Sequence, residues 1–247
     1  MRKTRILLVA WTQCVLVVLS LSASNSKLEP IARRITDGKP VWVSEKAAFT
    51  ADGEFRDELF SIQQRAMLDD LRKKNGSKCS LFTDFPALAI HAPSGSLEAL
   101  AMHASRVVTG RVVAAEQGFY QEKPGTVFTM SVSWNLKVAE PRGSDTARLF
   151  VSVARIDSGR GMLCAMPPLN AVVPKVGDDV LFFAHLEPTD VENKIYIVEP
   201  HRHILVETEG RLILPKRLQS EDSPRNLDDA IRRVAAGLAA EKLRKVR

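Results

Sequence analysis

Residues 106–138 read RVVTGRVVAAEQGFYQEKPGTVFTMSVSWNLKV. Two runs rich in β-branched residues, Arg106–Ala115 and Val127–Val138, flank a segment that holds Gly118, Pro124 and Gly125. Such runs suit a half-buried pleated surface, and turn formers between them signal a hairpin with a longer loop. The pair therefore seeds a sheet. Downstream, Ala147–Arg155, Asp178–Leu186, Ile195–Glu199, Ile204–Glu207 and Arg211–Leu214 are apolar runs of strand length, separated by turn signals. A succession of this kind predicts an antiparallel barrel or sandwich rather than a parallel sheet.

The chain has 247 residues, of which 45% are hydrophobic and 26% charged. That suits one globular domain of roughly 150 residues with additions. The net charge of +6 is carried by the ends. Residues 1–24 hold Arg2, Lys3 and Arg5 and no acid, and residues 211–247 hold ten basic and five acidic side chains. Residues 25–210 are left at −2. Aromatics make up 6% of the chain, so neither a basic groove nor a stacking platform is written into its centre, and nucleic acid is not the expected partner.

The first 24 residues, MRKTRILLVAWTQCVLVVLSLSAS, have a basic start, an apolar run over Ile6–Leu21 and small residues at Ser22–Ser24. These are the three parts of a secretory signal. Thr12 and Gln13 interrupt the apolar run, which favours a cleaved signal over an anchor that needs ~20 predominantly apolar residues. The expected location is thus exported, periplasmic or secreted. Beyond the signal stand two cysteines, Cys79 and Cys164. In an oxidising compartment one disulfide is the expectation, and closing so long a loop stabilises by roughly 4–5 kcal/mol in the chain-entropy model.

Three helices are expected. Residues 54–74 place Phe55, Leu59, Ile62, Ala66 and Leu71 near one stripe, with Asp52 as a cap and Asn75-Gly76 as a stop. Asn75-Gly76-Ser77 also matches a glycosylation sequon, read here as a turn. Residues 94–104 form a short helix capped by Ser96. Residues 227–244 are amphipathic, with Asp228 and Asp229 at the start and Lys242, Arg244 and Lys245 at the end, the order that the helix dipole favours. This basic helix docks on the domain in one reading and touches an acidic membrane surface in the other. A short strand is expected near Val41–Val43.

The order SLEALAMHASRVVTGRVVAAEQG, VFTMSVSWNLKV, a Gly/Pro-rich loop and VPKVGDDVLFFAHL resembles a recurrent exported bacterial domain with an OB-like, netrin-module-type β-barrel. The resemblance covers about residues 96–214 and implies a fold and a location, with no activity. It departs after Lys137, where Val138-Ala139 stand in place of the usual glycine. Netrin-type inhibitors of metalloproteases present a cysteine at the mature N-terminus. The first cysteine after residue 24 is Cys79, so that mechanism does not carry over.

No GxSxG, HExxH, P-loop or dinucleotide fingerprint occurs. One segment has ligand-like spacing: in Glu199-Pro200-His201-Arg202-His203, alternate residues of a strand put Glu199, His201 and His203 on one face. With His185 from a neighbouring strand they make a set suited to zinc. The expected fold is α+β, an antiparallel OB-like β-barrel with an N-terminal helix packed on it and a C-terminal amphipathic helix. Its expected parts are a signal peptide (1–24), an N-terminal helical extension (25–93), the barrel domain (94–215), and a linker with the C-terminal helix (216–247). The expected function is an exported, non-enzymatic binding or structural module for a protein or small molecule. The alternative is a metal-binding protein or metal-dependent enzyme that uses His201 and His203.

Overall fold

A computed structural model describes residues 42–75, 79, 96–120, 123–137, 146–167, 171–184, 195–198, 203–215, 218–219 and 222–245. The expected signal segment lies outside them. Among the described residues, no helix is long and apolar enough to cross a membrane.

The hairpin at the centre is longer than its sequence suggests. Strands β2 (Arg106–Tyr120) and β3 (Lys123–Asn135) are antiparallel and are joined by only two residues. Gly118, Pro124 and Gly125, expected in a loop, are ladder residues. Gly118 pairs with Gly125, and Phe119 with Pro124. Their role is close approach. A Cβ on Gly118 would lie 2.3 Å from the Val43 carbonyl oxygen, where β1 (Trp42–Ser44) pairs with the far end of β2. A Cβ on Gly125 would lie 2.3 Å from the Phe150 ring. Glycine in a strand here marks crowding by neighbours and not a turn.

Around this hairpin runs a sheet of eight strands. Its main path is β10 (Arg211–Ile213), β9 (Ile204–Thr208), β7 (Asp179–Ala184), β2, β3, β4 (Thr146–Val151) and β8 (Ile195–Ile197), with β1 branching from β2. Every pairing is antiparallel except β4 with β8, so the sheet is mixed. The ladder does not close into a barrel. Successive segments β8 and β9 end on opposite sides of the path, one bonded to β4 and the other to β7. Between them in sequence stands Pro200, which has no N–H to give a ladder.

The sheet nevertheless curls over a single apolar interior. Val108, Val112, Phe128, Met130, Leu149, Val180, Phe182, Tyr196, Ile204 and Val206 are buried in one cluster that draws on both ends of the path. The rings of Phe182 in β7 and Tyr196 in β8 are 5.9 Å apart. On the other face, α3 (Leu97–His103) and α4 (Leu227–Lys245) cover Val107, Leu181, Phe183 and Leu205. The stripe of α4 (Leu227, Ala230, Val234, Leu238) is buried there, and each of its larger side chains contributes about 1.5–3 kcal/mol. The basic helix therefore docks. Its apolar side is taken, and Arg232, Lys242, Leu243 and Arg244 face outward. At α3, Ser96 caps as expected, its Oγ accepting from the Ala99 N–H at 3.1 Å.

The expected third strand breaks at Ser152-Val153. Its second half is β5 (Ala154–Asp157), which pairs with β6 (Met162–Ala165) in a separate hairpin. The supposed loop around Cys164 is thus partly a strand, and Gly159 and Gly161, at φ 75° and 139°, make its turn. Against this hairpin lie the four-residue helix α1 (Glu45–Ala48) and α2 (Ile62–Asn75). Helix α2 starts later than its stripe suggests. Phe55 is held in an isolated bridge with Phe49, and Ser61 closes a capping box. The Ser61 Oγ accepts from the Gln64 N–H at 3.2 Å, and the Gln64 Oε1 accepts from the Ser61 N–H at 2.8 Å. In consequence Ile62 is 77% exposed, and the buried residues of α2 are Leu68, Arg72 and Asn75.

Candidate functional site

Of the four residues expected to hold a metal, His203 lies within the described chain. His185, Glu199 and His201 lie outside it. His203 has no solvent exposure. Its carbonyl accepts from the Phe183 N–H at 2.9 Å, which continues the β7–β9 ladder by one residue. Alternation along that ladder puts His203 on the side of Phe183 and Leu205, the face covered by α3 and α4. Among the described residues, no three His, Cys, Asp or Glu side chains are grouped to hold a metal ion.

Cys79 and Cys164 are brought together as a disulfide with a Cα separation of 5.7 Å, inside the ordinary range. The link ties the chain just beyond α2 to β6. Asn75, the sequon asparagine, is 4% exposed, so its amide is not presented for glycosylation.

The most connected polar cluster of the described chain is one that the sequence does not announce. Arg72 is 8% exposed. Its Nη1 donates to the Gly53 carbonyl at 2.8 Å and to the Ser158 Oγ at 3.2 Å. Its Nη2 meets Asp69 at 2.5 Å and Glu54 at 3.8 Å, and its guanidinium stands 5.5 Å from the centre of the Phe55 ring. Arg160 completes the cluster, paired with Glu54 and donating from Nε to the Asp52 carbonyl at 2.7 Å. Asp52, expected as a helix cap, thus serves this contact through its backbone. Gly53 has φ +76°, and a Cβ there would lie 2.1 Å from the Ser158 carbonyl oxygen. The cluster is a clamp between the 50–54 turn, α2 and the β5–β6 turn. The Arg72 guanidinium is spent on fixed acceptors.

Away from the clamp, Glu45 and Glu98 have shifted carboxyl pKa values. Burial pushes Glu45 up, and the nearby negative charge of Asp157 adds to the rise. For Glu98, burial alone would push upward. Its own backbone N–H, the Ser96 hydroxyl and the Arg233 cation outweigh that and hold it below the usual carboxylate range. The Arg233 Nε lies 3.3 Å from the Glu98 Oε1 and joins α4 to α3. At the other end of α3, the Lys137 Nζ donates to the Ala101 carbonyl at 2.7 Å and also to that of Met102. Lys137 is therefore a cation at a helix C-terminus.

No protein-family model, curated protein or solved structure matches the chain.

Proposed function

We propose that the chain is an exported, non-enzymatic binding or structural module on an OB-like scaffold, with a protein or small molecule as its partner. The observation that carries this reading is the Cys79–Cys164 disulfide, which suits an oxidising compartment. The scaffold reading is supported by β2, β3, β4, β7 and the divided β8/β9 segment, which together enclose one core in the manner of a partly open five-stranded barrel. The titratable side chains in the clamp and at the α3–α4 contact hold elements together, as a scaffold requires.

Native mass spectrometry of the mature protein, purified without reductant from its own compartment, tests the reading. A retained mass or a co-purifying protein, with both cysteines oxidised, is the expected result. Turnover of a substrate in a broad hydrolase panel, abolished by one point substitution, would overturn the non-enzymatic reading. The alternative is a metal carrier that uses His201, His203, Glu199 and His185. It draws support from the sequence spacing of His201 and His203, since alternate residues of a strand share a face. Stoichiometric zinc in protein prepared without added metal would favour it over the binding module.

A further inference from the structure

We propose that the Cys79–Cys164 disulfide is a redox-operated latch on α2, whose opening by a dithiol reductant frees the helix from the β5–β6 hairpin while the eight-stranded sheet stays folded. Apart from the Arg72 clamp, little apolar packing holds α2 among the described residues. Leu68 is its one fully buried apolar side chain, with Leu71 partly buried beside it. Ile62 and Met67 are exposed. The other buried positions are polar. Arg72 is satisfied by the clamp, whereas both side-chain polar atoms of Asn75 are buried without a hydrogen-bond partner among the described residues. Among the described residues, docking of the last turn of α2 thus buries an amide without compensating it, four residues from the covalent tie.

The tie lands on β6, the strand against which α2 packs, and is accessible from one side. Cys79 is partly exposed and Cys164 is 1% exposed. An attacking thiolate therefore reaches the Cys79 sulfur. The S–S bond breaks, its electron pair leaves on the Cys164 sulfur, and that sulfur takes up a proton. The second thiolate of the reductant then displaces Cys79 as a thiol and closes the reductant's own disulfide. Freeing α2 uncovers the side of the apolar cluster (Phe55, Phe60, Phe119, Leu163) on which Leu68 rests.

Hydrogen exchange on the full mature chain, with and without dithiothreitol, tests the latch. The Cys79→Ser/Cys164→Ser double variant serves as a reductant-free control for the open state. Amides of residues 62–75 should exchange at least about tenfold faster in both open forms, while those of β2, β3 and β7 remain protected through the same labelling time. Unchanged exchange in residues 62–75, or loss of protection in helix and sheet together, would overturn the proposal.

Discussion

Replacement of Arg72 by methionine is the sharpest test of how the N-terminal layer is held. Methionine keeps the apolar stem against Phe55 but deletes the donors to the Gly53 carbonyl and the Ser158 hydroxyl. Hydrogen bonds from a charged group are worth about 1.5–3 kcal/mol each, and the buried carbonyl is left without its donor. Removing a buried cation offsets part of that loss. Asp69 and Glu54 are 32% and 46% exposed, so water takes over much of their solvation. The net cost should be about 2–3 kcal/mol. Urea unfolding of wild type, Arg72→Met, Ser158→Ala and the double variant gives both the cost and the coupling, expected at about 1 kcal/mol. The Ser158 Oγ also serves the Gly161 carbonyl and the Arg160 N–H, which makes the cycle necessary. A loss below about 0.5 kcal/mol with no coupling would mean that the clamp is a surface ion pair in effect, and the reasoning would fail.

Gly53→Ala should cost at least about 2 kcal/mol, since left-handed strain adds to the overlap with the Ser158 carbonyl. Gly177→Ala, at φ +99° with open space around it, should show strain alone, about 1 kcal/mol by the same unfolding measurement. Lys137→Met should lower stability by about 1 kcal/mol, with the loss in α3 visible by hydrogen exchange. Glu98 is held low in the folded state, so its contribution is complete above its unfolded pKa and disappears as pH falls through the folded value. Comparison of wild type with Arg233→Gln across pH 2–6 should show a shallower acid slope in the variant, by less than about 1 kcal/mol because both side chains are about a third exposed and solvent screens the pair. Glu45 has the opposite sign. Its raised pKa adds stability as pH falls, and Asp157→Asn should move its NMR titration midpoint down.

Much of the fold was legible because local chemistry and tertiary structure agree. Ser96 before an apolar helix, the dipole-ordered charges of residues 227–245 and the β-branched runs at 106–138 all became the elements they suggest. The misses came where a residue's meaning depends on a distant partner. Gly118 and Gly125 look like turn residues until β1 and Phe150 press against them. The start of α2 was written in Ser61-x-x-Gln64, a capping box hidden by the stronger apolar spacing of Phe55 and Leu59 upstream. Arg72 resembled any arginine on a polar helix. The spacing to Asp69 hints at a pair, but nothing local foretells Gly53 and Ser158 as acceptors 19 and 86 residues away. Of the histidine set, the sequence could supply alternation but not depth, and His203 proves to be wholly buried.

The parallel pairing of β8 with β4 was the least legible feature, and it explains why the sheet curls without closing. Antiparallel neighbours can be joined by short turns, whereas a parallel partner must be reached by a crossover. Here β8 pairs with β4 at one edge of the path, while the next strand, β9, pairs with β7 and carries the other edge strand, β10. Neither edge strand is long: β8 and β10 have three residues each. Backbone pairing alone would hold such edges weakly. The interior supplies the rest. Tyr196 of β8 meets Phe182 of β7 across the core, and the Arg106 guanidinium stands 5.3 Å from the centre of the same tyrosine ring. The β8 edge is thus joined to β7 through side chains where the hydrogen-bond ladder stops, which is how an open mixed sheet can enclose a core expected of a barrel.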